Sequence, residues 1–153
     1  MYRATGRTSK HLKAPKAICT WPGATEARIL VSAHRDKVER GDGAVDDWSG
    51  ASLLVDLFES LWAGLRRHSL VFIGFTGEEE GLVGSRFYVI ALTAEQKTRT
   101  AALVNVECLG LSPTAMWLSH ADPQIGKVSR ADRNRLNLHI GARNVEQVGR
   151  GTQ

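Results

Sequence analysis

Residues 69–85 read Ser-Leu-Val-Phe-Ile-Gly-Phe-Thr-Gly-Glu-Glu-Glu-Gly-Leu-Val-Gly-Ser. The first seven are an apolar run whose length and β-branched, aromatic content suit a buried strand. Three consecutive carboxylates, Glu78, Glu79 and Glu80, follow it within a glycine-rich turn. A carboxylate leaving a buried strand needs a partner, because an unpaired one is costly in apolar surroundings. A cation is therefore expected at this turn. Two polar clusters lie upstream, His34-Arg35-Asp36 and Asp46-Asp47, and Glu107 ends another apolar run downstream. Together they read as a metal site.

Working outward, strands alternate with helices. Ala27 to Ala33 (ARILVSA) suits a buried strand, bounded by Pro22-Gly23 before it and charges after it. From Ser49 to about Arg66, Leu53, Leu54, Leu57, Phe58, Leu61, Trp62 and Leu65 recur at helical spacing, with Ser49 as the expected N-cap. After the strand at 69–75, a helix is expected from Leu82 to about Ala91. A short helical turn is expected next, opened by Thr93 with Gln96 at capping-box spacing. Ala101 to Val106 is the next strand, Ala115 to Ser119 another, and Asp122 to about Leu138 carries a weaker helical pattern.

This order predicts an α/β three-layer sandwich with a mostly parallel central sheet. In open parallel sheets, ligands bind beyond the carboxyl ends of the strands. His34, the Glu78-Glu79 pair and Glu107 each follow such an end, so three separate strands can bring them to one crevice. Singly, each has an ordinary reading. A histidine after a strand is commonly a satisfied loop residue, a glutamate run suits a helix start, and Asp46-Asp47 suits a turn and cap. Their joint occurrence at strand ends is what points to metal.

Composition bounds the alternatives. With 153 residues and 42% apolar content, the chain can bury one core. No run reaches the roughly 20 apolar residues needed to cross a bilayer, and the start lacks a signal-peptide pattern. No membrane partner is expected, and compartment is left open. The net charge of +4 conceals an acidic middle: residues 41–107 hold five Lys/Arg against ten acids, and the candidate ligands cluster there. The basic residues are scattered, without an aromatic-interleaved stripe, so no nucleic-acid partner is expected. Cys19 and Cys108 are too few and too distant in sequence to imply a disulfide framework or a cysteine-type zinc site.

Four ordered motifs carry a family resemblance: Ala33-His34-Arg35-Asp36, Gly43-Ala44-Val45-Asp46-Asp47-Trp48-Ser49-Gly50, Glu78-Glu79-Glu80-Gly81-Leu82-Val83-Gly84-Ser85 and Asn105-Val106-Glu107. Over roughly residues 27 to 120 the chain resembles the co-catalytic zinc aminopeptidases of metallopeptidase family 28. The resemblance implies the phosphorylase/hydrolase-like zinc exopeptidase fold with a mixed sheet, incomplete at its C-terminus. It implies one partial catalytic domain over 1–153, with an N-terminal extension at 1–26 and a motif-bearing core at 27–120. The implied substrate is a peptide, cleaved at its N-terminal bond.

Carried over residue by residue, the resemblance implies that Asp46 bridges two zinc ions and is joined to Asp47 by a cis peptide bond. His34 and Glu107 complete the first ion's protein ligands, and Glu79 binds the second. Glu78 is the general base, Asp36 fixes the ring of His34, and Glu80 is solvated. Two zinc ions about 3.5–4 Å apart share a water, lower its pKa toward about 7 and polarise the scissile carbonyl. Glu78 takes that water's proton and returns it to the leaving amine.

Two departures from the family pattern matter. Glu107 stands where the family has aspartate. The family's last histidine ligand comes from a segment beyond Gln153, and neither His120 nor His139 sits in a matching motif. Ligand counting therefore predicts one tightly held zinc at His34, Asp46 and Glu107 and a weaker one at Asp46 and Glu79, with low peptidase activity. A partner chain or a further C-terminal segment would complete the second site. Two alternatives remain open, a single-zinc glutaminyl cyclase and a catalytically impaired binding module.

Overall fold

The structure, a computed structural model, describes residues 17–61, 63–111, 113–117, 122–127 and 141–143. They fall into two compact units, residues 1–109 and 110–153. In the first, strands β1 (Ala17–Trp21), β2 (Arg28–His34), β3 (Ser69–Phe75) and β4 (Thr100–Asn105) form one sheet in the order β1-β3-β2-β4. Strands β2, β3 and β4 are parallel and β1 runs antiparallel to β3, so the sheet is mixed and mostly parallel, as expected.

β3 lies inside the sheet because its apolar run offers side chains to both faces. Val71 and Ile73 join Leu30 of β2 on one face, with Ile18, Phe75 and Tyr88 packed around them. Phe72 joins Val31, Ala33 and Leu54 on the other, with Leu57 and Phe58 against them. Leu54, Leu57 and Phe58 belong to helix α1 (Ser49–Ser60) and Tyr88 to helix α2 (Val83–Ala91), so a helix covers each face and the sandwich has three layers. Such burial is worth about 1.5–3 kcal/mol per large side chain.

Register sets the site. β2 and β3 pair from Arg28 opposite Ser69 to His34 opposite Phe75, and Ser32 lies opposite Asn105 of β4. The three parallel strands thus end at one rim. The chain leaves β3 through a tight turn in which Leu82 N–H donates to the Glu78 carbonyl at 2.9 Å and Val83 N–H to the Gly77 carbonyl at 2.7 Å. Gly84 then enters α2 against the backbone of Thr76. A Cβ there would stand 2.2 Å from the Thr76 carbonyl oxygen, so the second glycine of the Gly-Leu-Val-Gly motif is a packing requirement.

Several boundaries differ from expectation. β1 lies within residues 1–26, read from sequence as an extension. It is a five-residue antiparallel edge strand with no crossover helix of its own, so the strand-helix alternation does not mark it. α1 ends at Ser60 rather than near Arg66, because the Arg66 guanidinium reaches back to cap the Leu61 carbonyl (2.6 Å), and Leu65 stands fully exposed. β4 runs one residue earlier than expected, yet Val106 N–H still pairs with the Ser32 carbonyl at 2.8 Å. The Thr93–Gln96 capping box opens helix α3 (Ala94–Thr98) as read.

In the second unit, β5 (Ala115–Trp117) and β6 (Gly141–Arg143) form a parallel pair, and residues 123–127 are helical. The rest of the helix expected to about Leu138, the end of the strand expected to Ser119, and His120 and His139 lie outside the described residues. No helix among the described residues is long and apolar enough to cross a membrane.

Ile73 is fully buried at the centre of the sheet. Ile73→Ala is expected to lower the unfolding free energy by about 3 kcal/mol, read from the urea midpoint at unchanged slope.

Candidate metal centre

Each implied ligand reaches the rim from a different element. His34 is the last residue of β2 and is 3% exposed. Asp46 and Asp47 lie in the tight loop Ala44–Trp48, joined by a cis peptide bond, and Trp48 N–H closes that loop on the Gly43 carbonyl at 2.9 Å. Glu78 and Glu79 occupy the turn after β3, and Glu107 lies two residues past β4.

The buried carboxylate of Asp47 ties three of these segments together. It accepts N–H bonds from His34 at 3.2 Å, Gly50 at 3.0 Å and Cys108 at 3.2 Å. The Gly50 bond caps α1, so capping falls to Asp47 and not to Ser49. Ser49 Oγ instead donates to the Val45 carbonyl (2.6 Å) and accepts from Leu109 N–H (2.9 Å). Gly50 has no room for a side chain, since a Cβ would lie 2.5 Å from Asp47 Oδ1.

Asp36 joins the remaining segment, the turn after β3, to the end of β2. Its carbonyl lies 3.1 Å from His34 Nδ1 and its Oδ1 3.5 Å away, while Oδ2 accepts Glu79 N–H at 3.1 Å. The ring is thereby oriented with Nε2 toward Asp46 Oδ1, at 3.0 Å. Asn105 supports Glu107 from behind, donating Nδ2–H to Oε2 at 3.2 Å while its own Oδ1 accepts from Ser32 Oγ at 2.7 Å. Glu80 is exposed, as expected.

Donor atoms from His34, Asp46 and Glu79 lie within 4.8 Å of one another, and so do those of Asp46, Glu107 and Cys108. Asp46 belongs to both groups, the position expected of a bridging ligand. The resemblance pairs His34 with Glu107, whereas the group that holds His34 contains Glu79. Glu79 Oε1 is buried and has no hydrogen-bond partner among the described residues. A buried, unpartnered carboxylate oxygen beside an imidazole fits a divalent cation, and one nitrogen with several carboxylates is a donor set zinc accepts.

The electrostatics agree. Burial raises the pKa of Glu78, and Glu79, Asp36 and Asp46 reinforce it against the opposing pull of His34. Burial likewise raises Glu107, with Glu78, Asp47 and Asp46 adding to it. Burial also raises Asp47 despite its three backbone donors. At His34 burial favours the neutral ring, but the Asp46 bond and the fields of Asp47, Glu78 and Asp36 outweigh it, and the pKa is raised. Cys108 is pushed up to about 11 by burial and the same carboxylates. The rim gathers acids that disfavour one another's charge.

Of the sequence-derived residues, His34, Asp36, Asp46, Glu78, Glu79 and Glu107 all reach this rim. Two others have parts that the sequence does not specify. Asp47 belongs to the Asp46-Asp47 cluster and to the cis peptide bond that the resemblance implies, and its burial beneath three backbone donors comes from the structure alone. Cys108 was set aside as one of two distant cysteines, although it adjoins Glu107.

A model of peptidase family M28 matches residues 17–150. Leupeptin-inactivating enzyme 1 of Streptomyces exfoliatus is 29% identical over 127 residues, covering 81% of this chain and 28% of that protein. The zinc aminopeptidase BSAP from Bacillus subtilis shares the fold with a TM-score of 0.77 at 23% identity, over 84% of this chain and 34% of that one. A glutaminyl cyclase from an Acidobacteriales bacterium does so with a TM-score of 0.77 at 15% identity, over 95% of this chain and 57% of that one. The chain thus spans little more than a quarter of its curated relative's length.

Two outcomes follow from this geometry. Asp47→Ala leaves three backbone donors unpaired, two of them buried, and is expected to cost roughly 3 kcal/mol. Asp46→Asn, on a side chain 54% exposed, is expected to stay within about 1 kcal/mol; urea unfolding in chelator compares them. Asp47, Glu78 and Glu107 have folded pKa values above their ordinary 3.8 to 4.5 and His34 above its ordinary 6.5, so at these groups the folded state holds more protons than the unfolded state. Stability of the metal-free chain is then greatest below those ordinary values and falls as pH rises through and beyond them. The urea midpoint in chelator is expected to be lower at pH 8 than at pH 6.

Proposed function

This chain belongs to peptidase family M28, and on that premise we propose that it carries the metal-binding core of a zinc-dependent, aminopeptidase-type peptidase that hydrolyses N-terminal peptide bonds. The observation that carries the reading is the division between adjacent glutamates. Glu79 turns a buried, unpartnered oxygen into a ligand group, whereas Glu78 belongs to neither ligand group and lines a cleft of about 210 Å³ together with His34 and Glu107.

His34, Asp46, Glu79 and Glu107 would hold the metal. Zinc bound there supplies Lewis acidity, which polarises a carbonyl and acidifies water. Glu78 accepts the proton of the attacking water and returns it to the leaving amine nitrogen. Its raised pKa suits both halves of that task. Asp36 positions the reaction's surroundings by holding the His34 ring and the Glu79 backbone together. Ala33, Phe75, Leu82 and Leu103 give the cleft an apolar wall against which the peptide rests. One ion is held tightly, at the group that includes the imidazole, and a second more weakly.

One observation favours a second reading. Only one of the two donor groups contains an imidazole among the described residues, which suits a single tightly held ion. A single-zinc enzyme that cyclises N-terminal glutamine, the activity named for one structure of the same fold, would need no more.

Glu78→Gln is expected to lower release of chromophore from aminoacyl substrates by about 10²–10⁴-fold while zinc content after dialysis is unchanged. Glu79→Gln is expected to lose zinc. Full turnover by the Glu78 variant would remove it from the mechanism. Peptides beginning with glutamine separate the readings: liberated glutamine supports the peptidase, and ammonia with a cyclised product supports the cyclase.

A further inference from the structure

We propose that Asn105 is a positioning residue of the metal centre: anchored on the buried hydroxyl of Ser32, its side-chain amide fixes the Glu107 carboxylate as a ligand. The inference rests on the metal-centre reading above, since it requires Glu107 to hold an ion. Ser32 is 1% exposed and lies directly opposite Asn105 where β2 pairs with β4. Ser32 Oγ donates to Asn105 Oδ1 at 2.7 Å, and Asn105 Nδ2 donates to Glu107 Oε2 at 3.2 Å. All three residues line the cleft that also contains His34 and Glu78.

The order of donors and acceptors leaves this chain of bonds one direction. An ionised carboxylate only accepts, so the amide turns its NH2 toward Glu107 and its oxygen toward Ser32. A hydroxyl can do either, but facing an amide oxygen it must donate. A buried hydroxyl needs a partner, and Asn105 meets that need in the same orientation that serves the acid. The backbone reinforces the lock, since Val106 N–H donates to the Ser32 carbonyl at 2.8 Å.

Glu107 is exposed and stands two residues past the end of β4. A long side chain in that setting samples several rotamers, and ordering it on an ion costs free energy. Asn105 orders it beforehand, with Oε2 engaged and Oε1 left for an ion. The carboxylate already belongs to the group that contains Asp46, so the clamp holds it where a ligand is wanted. A serine–asparagine pair that served only to join β2 to β4 would end at Asn105; here the other half of the amide is aimed at the acid.

Zinc affinity of the full chain, measured by competition with a chromophoric chelator, tests this without relying on turnover. Glu107→Ala identifies the binding step that its carboxylate serves. Asn105→Ala is expected to weaken the same step by about 10–100-fold, and Ser32→Ala, which frees the amide to turn, to weaken it less. In the Glu107→Ala background neither substitution is expected to add anything. A loss that persists without Glu107 would give Asn105 a merely structural part and overturn the proposal. Native affinity in both single variants, or in Glu107→Ala itself, would overturn it as well. Should Asn105→Ala fail to fold, Ser32→Ala carries the same comparison. Each of these outcomes leaves the His34 group standing, whereas a native chain that retains no zinc would overturn the metal-centre reading and the proposal together.

Discussion

The carboxylate of Asp47 is the constraint on which the rest of this rim depends. A parallel sheet brings strand ends to one level but leaves the loops beyond them free to diverge. Here one buried acid, satisfied by backbone N–H groups from the end of β2, the start of α1 and the segment after β4, removes that freedom. Hydrogen bonds to an ionised acceptor are stronger than neutral ones, and three of them offset much of the cost of placing a charge inside. Asp47 fixes the backbone at His34, Gly50 and Cys108, and with it the loop that carries Asp46.

That arrangement concentrates acids. Each raised carboxylate pKa at the rim has burial as its leading cause, and at Glu78 and Glu107 neighbouring carboxylates add to it. The concentration is local: the packed faces of the sheet carry no comparable cluster among the described residues. Perturbed acids gathered in a cleft cost stability, and such clusters are candidates for function.

Much of this was legible from sequence because the signals were local. The apolar run at 69–75 followed by acids, the helical spacing over Leu53 to Phe58 and the Thr93–Gln96 box each depend on near neighbours, and each formed. What was less legible depends on distant ones. β1 is defined by pairing with residues some fifty positions away, Ala17 opposite Gly74, and carries no signal of its own beyond Ile18 and Trp21. The end of α1 is set by Arg66 folding back on Leu61, which the continuing leucine pattern conceals. Cys108 becomes noticeable only when β2 and β4 pair and carry Glu107 toward Asp46. The candidate ligand positions were readable because strand ends in a parallel sheet converge by topology.

The antiparallel course of β1 has a further consequence. Trp21 pairs with Leu70, at the end of the sheet opposite the acids, where its ring packs on Phe58 and Phe72 and lies beneath the Arg66 guanidinium. There the stretch from Gly23 to Ala27 is laced to residues 66–69 by backbone bonds. The sheet of the first unit therefore has two ends, an aromatic one that holds its layers together and an acidic one that gathers the candidate ligands. Because the strands separate them by their full length, substitutions in the aromatic contacts fall on packing and leave the acidic cluster's own hydrogen bonds in place.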